Sequence, residues 1–145
     1  MIKKFLVATD LSARSDRALQ RAVALAHERT SEVDVLHVVD GSLPEPMLSQ
    51  HEAAAKSAIS DQITSLGLGG EGVIRTSVVR GQDYIDIVKQ ADSLQASMIV
   101  LGVPRQTGRG MFGGTTAEKI TRSSRVPVLL VRSPVVRSYL SLIHI

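Results

Sequence analysis

The chain has 145 residues, 43% hydrophobic and 21% charged, with no cysteine, no tryptophan and only 3% aromatics. That composition is globular and gives one domain enough residues for a core. It excludes disulfides, thiolate nucleophiles, thiolate metal sites and aromatic platforms for single-stranded nucleic acid. The formal charge is +3 and uneven: from Gly102 onward Arg105, Arg109, Lys119, Arg122, Arg125, Arg132 and Arg137 face a single acid, Glu118, a basic region suited to a small anion, a phosphate or a nucleic acid.

Residues 3–9 (Lys3-Lys4-Phe5-Leu6-Val7-Ala8-Thr9) read as a short buried strand. Met1-Ile2-Lys3-Lys4 leads into an apolar stretch without the length or cleavage site of a signal peptide. No run reaches the roughly 18–20 apolar residues of a membrane helix, and a cytoplasmic location is expected. After Asp10-Leu11-Ser12, either Ser12 or Ser15 is a candidate helix cap and Asp16 suits a first turn. Ala18, Leu19, Ala22, Val23 and Ala26 recur at three- and four-residue spacing and predict a helix ending near Arg29. The second strand is Val33 to Val39. A loop with two prolines (residues 41–46) precedes a helix from about Met47 to Leu66, closed by Gly67-Leu68-Gly69-Gly70. Val73 to Val79 is the third strand. Gly81-Gln82-Asp83 opens a third helix with Tyr84, Ile87, Val88, Ala91 and Leu94 inward. Met98 to Leu101 is a fourth strand, residues 102–114 a glycine-rich loop, Thr115 to Ser124 a short helix and Val126 to Val131 the fifth strand.

Strict strand–helix alternation with apolar strands predicts an α/β fold: an open, doubly wound, five-stranded parallel sheet with helices on both faces. Ligands of such sheets bind beyond the carboxyl ends of the strands, so the connections after strands one, two and four are the places for a site. The domain is expected to span residues 1–133, with 134–145 a tail: a linker, a swapped strand or the remnant of a second domain.

The fourth connection carries the most chemistry. It joins a buried strand to a helix through Gly102, Gly108, Gly110, Gly113 and Gly114, and such a backbone turns several N–H groups toward one anion at a helix start. Thr115 and Thr116 add hydroxyls. A plain surface loop is the alternative. Two motifs are near misses. Gly108-x-Gly110-x-x-Gly113 spells the dinucleotide fingerprint, but no acid follows Glu118 to hold a ribose. Gly108 to Thr115 resembles a P-loop, but Gly114 stands where its lysine must be. Asp10, at the carboxyl end of the first strand, suits ribose hydroxyls or a phosphate-bound Mg²⁺, and equally suits a plain helix start. His37 reads as a packed strand residue, and His27, His51 and His144 show no metal-ligand spacing. No serine has a nucleophile-elbow context, so no catalytic residue is assigned. The bases Lys119, Arg122 and Arg125 read as a solvated helix face, so neither nucleic acid nor membrane is an expected partner.

The sequence resembles the universal stress protein family over about residues 2–133. The marks are Phe5-Leu6-Val7-Ala8-Thr9-Asp10-Leu11-Ser12, Val35-Leu36-His37-Val38-Val39-Asp40, Ile99-Val100-Leu101-Gly102, and Gly114-Thr115-Thr116-Ala117-Glu118-Lys119-Ile120 running on to Arg125-Val126-Pro127-Val128-Leu129-Leu130-Val131. The resemblance implies a homodimer paired through the last strand (Val128, Leu129, Leu130, Val131) and, in the nucleotide-binding branch, an ATP or AMP site, with Mg²⁺ where ATP binds. That branch carries G-x2-G-x9-G-[S/T] after the fourth strand. Here Gly102 is the first glycine and Gly114-Thr115 the last pair. Arg105 replaces the second glycine, and eight residues (106–113) separate it from Gly114, so the motif is degenerate and one residue short. Gly108, Gly110 and Gly113 are candidates to compensate, and Arg105 and Arg109 to meet phosphate charge. The carry-over sets Ala8, Thr9 and Asp10 near adenine and ribose, and Val38 on adenine through its backbone. Thr115 and Thr116 fall on phosphates, with Leu101 beside Gly102 in the same site. The implied role is a stress-response switch governed by nucleotide. The alternatives are a nucleotide-independent dimeric or chaperone-like module and, at most, a slow ATPase.

Overall fold

The structure, a computed structural model, describes residues 3–29, 31–69, 74–103 and 116–132. Its elements alternate along the chain: β1 (Lys4–Ala8), α1 (Ala13–Arg29), β2 (Glu32–Asp40), α2 (Met47–Ser65), β3 (Ile74–Gly81), α3 (Asp83–Ser93), β4 (Met98–Val103), α4 (Thr116–Ser123) and β5 (Val128–Arg132). All pairings are parallel and the strand order is β3-β2-β1-β4-β5. Val7 faces Val35 on one side and Val100 on the other.

Period-two alternation sends each strand's side chains to two separate cores. On one face Phe5, Val7, Val33, Val35 and Val100 pack with Ala18, Leu19, Ala22, Val23 and Ala26 of α1 and Ile59 of α2. On the other, Leu6, Ala8, Leu36, Ile99 and Leu101 pack with Ile87 and Ala91 of α3 and Ile120 of α4. The alanines at every fourth position of α1 let that helix lie close on the sheet. Each fully buried leucine or isoleucine contributes about 1.5–3 kcal/mol. Ile120 is the buried anchor of the eight-residue α4. Ile120→Val therefore costs about 1 kcal/mol in chemical denaturation, and a cost near zero would show that α4 is not held by this contact.

Local chemistry closes the elements. α2 ends in a Schellman turn: Gly67, at φ 71°, donates its N–H to Thr64 O, and Leu68 donates to Ile63 O. Most boundaries shift by one or two residues from the sequence reading, and two of the shifts bear on the fourth connection and the helix after it. β4 continues through Gly102 and Val103, paired with Val131 and Arg132, so the fourth connection begins after Val103. α4 stops at Ser123, so Arg125 lies beyond it, and Arg122 pairs with Glu118 one turn back. Residues 104–115 and the proposed tail, 134–145, lie outside the described residues. No helix among the described residues is long and apolar enough to cross a membrane.

Candidate functional site

The chain runs from β1 outward through β2 to β3, then returns to the far side of β1 as β4. The strand order therefore reverses between β1 and β4, and connections leave in opposite directions there, opening a crevice at the carboxyl edge. A cavity of about 170 Å³ sits at that point. It is lined by Ala8, Thr9, Asp10 and Ser15 from β1 and the start of α1, His37 and Val38 from β2, and Asp83 and Ile87 from α3. Leu101 and Gly102 from β4 and Thr116, Ala117 and Ile120 from α4 complete it.

The floor is set by the end of β1. Thr9 is buried. Its N–H donates to Leu36 O at 2.9 Å, extending the sheet ladder by one residue. Its carbonyl lies 2.8 Å from His37 Nδ1. A carbonyl only accepts, so Nδ1 carries a proton, and in the neutral ring Nε2 is an acceptor. Thr9 Oγ1 accepts the N–H of Leu11 at 3.0 Å. Leu11 stands at φ 68°, a left-handed conformation that costs a leucine about 1–2 kcal/mol and is sustained by the bonds on either side of it.

Asp10 organises the turn. Its Oδ1 accepts from Ser12 N at 2.9 Å, from the Ser12 hydroxyl and from the Ser15 hydroxyl at 2.9 Å, while Oδ2 accepts from Arg14 at 3.0 Å. Both serine hydroxyls are thus spent on Asp10 rather than on capping α1 in the ordinary way. A carboxylate has about four acceptor positions, so Oδ1 is saturated and Oδ2 keeps one position for an incoming donor. Partial burial pushes the Asp10 carboxyl up. The hydrogen bonds from Ser12, Arg14 and Ser15 outweigh that effect and hold it at about 2, below the ordinary 3.8. Because the folded value is the lower one, the stabilisation is full above pH 3.8 and fades as pH falls through about 2. The Asp10 side chain is 54% exposed, so solvent screening keeps the effect small. Wild type and Asp10→Asn are expected to differ in melting temperature at pH 5, and the difference is expected to shrink between pH 4 and pH 2. A constant difference across that range would contradict the assignment.

Gly102 has a packing reason to be glycine. A Cβ there would stand 2.1 Å from Arg14 O and 2.6 Å from its carbonyl carbon, because the first turn of α1 lies directly on the end of β4. At the opposite wall, the Thr116 hydroxyl donates to Asp83 Oδ2 at 2.8 Å, and Asp83 Oδ1 accepts the N–H of Tyr84 at 2.6 Å. Val38 and Asp83 also line a neighbouring hollow of about 400 Å³ with Asp40, Gly81, Gln82 and Tyr84.

All seven sequence-derived candidates among the described residues (Ala8, Thr9, Asp10, Val38, Leu101, Gly102 and Thr116) line this one cavity. Arg105, Gly108, Arg109, Gly110, Gly113, Gly114 and Thr115 lie outside the described residues. Sequence reasoning missed His37, whose place next to Val38 near the carboxyl end of a strand was the available signal. It also missed Asp83 and Ile87, because the connection after the third strand ends at the same sheet edge and was not counted. Apolar walls from Ala8, Val38, Ile87 and Leu101 beside the acceptors of Thr9 and Asp10 suit a flat base carrying hydroxyl groups. Among the described residues no group of three or more His, Asp or Glu forms a metal site.

The family model for universal stress proteins matches residues 1–132. The chain belongs to the universal stress protein family. Universal stress protein YxiE of Bacillus subtilis is 29% identical over 152 residues, covering 91% of this chain and all of the relative. A universal stress protein of Archaeoglobus fulgidus, solved in complex with dAMP, is 24% identical with a TM-score of 0.69 and covers 90% of this chain and 98% of its own. Another universal stress protein, solved in complex with cAMP, is 20% identical with a TM-score of 0.73 over 91% of this chain and 98% of that one. These likenesses in structure carry the fold. The universal stress protein fold is the doubly wound sheet described above.

Proposed function

We propose that this universal stress protein binds an adenine nucleotide, ATP or AMP, in the β1–β4 crevice and works in the cytoplasm as a nucleotide-dependent switch in the stress response. The observation that carries the reading is the convergence of Ala8, Thr9, Asp10, Val38, Leu101, Gly102 and Thr116 on one cavity at the switch in strand order. The adenine nucleotides bound by the two structural relatives are consistent with it. In this reading the adenine lies between Ala8 and Val38, the free position on Asp10 Oδ2 takes a ribose hydroxyl, and Thr116 faces phosphate. The rest of the phosphate cradle falls to Arg105, Gly108, Arg109, Gly110, Gly113, Gly114 and Thr115. Mg²⁺ enters with the phosphates of ATP, since the one open position on Asp10 is taken by the ribose and the Arg14 guanidinium stands beside it.

The switch acts through a homodimer joined at β5. That strand is one of the two sheet edges among the described residues, and its Val128, Leu129, Leu130 and Val131 are only partly covered. An unpaired apolar edge favours pairing with a second copy. The acidic lining favours a second reading, a dimeric module that works without nucleotide, because Asp10 and Asp83 line the cavity with no Lys or Arg among its described residues. Protein purified without added nucleotide, denatured and assayed for released adenine nucleotides, separates the two. Release near one per chain, or a melting shift of several degrees with AMP or Mg-ATP, supports binding. An empty protein with no shift at millimolar nucleotide supports the second reading.

A further inference from the structure

The hydrogen-bond inventory at the cavity wall has a consequence for the ligand. Thr116 has one hydroxyl proton, and it is committed to Asp83 Oδ2 at 2.8 Å. A phosphate oxygen arriving at Thr116 must take that proton from Asp83 and then stand next to a carboxylate that has lost its partner. The described residues lining this cavity and the adjoining hollow contain no lysine or arginine, which leaves Arg105 and Arg109 as the cations proposed for the phosphates and Asp83 as a charge that opposes them. The nearby Lys119 ammonium sits 5.3 Å above the Tyr84 ring. Asp83 itself is exposed at the first turn of α3 and holds one hydrogen bond within its own turn, so nothing in the core requires it.

We propose that Asp83 is a specificity-determining residue that sets how many phosphates the site accepts, favouring nucleoside monophosphates over triphosphates. The inference rests on the reading of the cavity as an adenine-nucleotide site. Two negative charges about 6 Å apart oppose binding by about threefold in bulk water and about a hundredfold at the effective dielectric constant of a protein surface, so about tenfold is expected at this exposed wall. A triphosphate carries more charge past this point than a monophosphate does, and adenosine carries none. Asparagine at position 83 removes the charge and can also donate its amide to Thr116 Oγ1, which releases the threonine proton for phosphate.

The test is titration calorimetry of the full chain and of Asp83→Asn with adenosine, AMP and ATP in EDTA. The expected result is a rise of about tenfold in the ratio of ATP to AMP affinity, with adenosine affinity unchanged within twofold. Saturating Mg²⁺ is expected to shrink the gain, since the cation masks the same charge. Asp83→Ala, which removes the charge without supplying a donor, is expected to raise the ratio less. An unchanged ratio, or an equal change for all three ligands, overturns the role of Asp83 and leaves the site reading standing. Failure of wild type to bind any of the three overturns the site reading and this proposal with it.

Discussion

Gly102→Val is expected to destabilise the chain by about 3 kcal/mol, the largest loss from any of the described glycines. The added Cβ would meet Arg14 O at 2.1 Å, its carbonyl carbon at 2.6 Å and Ser15 N at 3.1 Å. All three are backbone atoms of the first turn of α1, so relief requires moving a helix that packs on β1, β4 and β5. Neighbouring core packing at near-crystalline density resists such a shift. Gly81 offers the contrast. Its Cβ would approach Asp86 Oδ2 at 2.0 Å, the end of a side chain that can swing aside, so Gly81→Ala costs about 1 kcal/mol or less. Urea denaturation with a constant slope measures both. Gly102→Val within a few tenths of wild type would mean that α1 does not lie on β4 as described. Moving α1 also draws Ser15 away from Asp10, so nucleotide binding is expected to fall with stability.

The second large effect belongs to Asp10. Asp10→Ala is expected to weaken AMP binding by about 100-fold. One part is direct: a hydrogen bond from a ribose hydroxyl to a carboxylate is worth about 1.5–3 kcal/mol. The other part is organisational, because Ser12, Arg14 and Ser15 all donate to this carboxylate, and the turn that carries Leu11 at positive φ loses its anchor. Ser15→Ala removes one donor and leaves the acceptor, so its expected loss is a few-fold. Calorimetric titration with AMP checks the order. Affinity within threefold of wild type in Asp10→Ala would remove Asp10 from the site.

Much of this arrangement is legible in the residues. The spacing of Ala18, Leu19, Ala22, Val23 and Ala26 announces the buried stripe of α1, and all five are buried. The apolar run 98–101 announces a strand covered on both faces. What the sequence conceals is tertiary. Glycine is a weak strand signal, so Gly102 reads as the start of a loop until its pairing with Val131 is known. Its lack of a side chain reads as a phosphate-loop feature until Arg14 is found beside it. His37 alternates like any strand residue, and only the position of Thr9 O on the neighbouring strand gives its ring a partner. Asp83 looks like an ordinary helix-start acid, because its bond to Thr116 joins residues 33 apart in the chain. Long-range pairs of this kind have no local periodicity to announce them.

The most direct test of the central claim is a titration of ¹⁵N-labelled full-length chain with AMP, followed by amide chemical shifts. Saturable shifts are expected, concentrated on Thr9, Asp10, Val38, Leu101, Gly102 and Thr116, with the amides of α2 unmoved. Shifts that never saturate, or that centre on α2 or on the outer edge of β3, would contradict that claim.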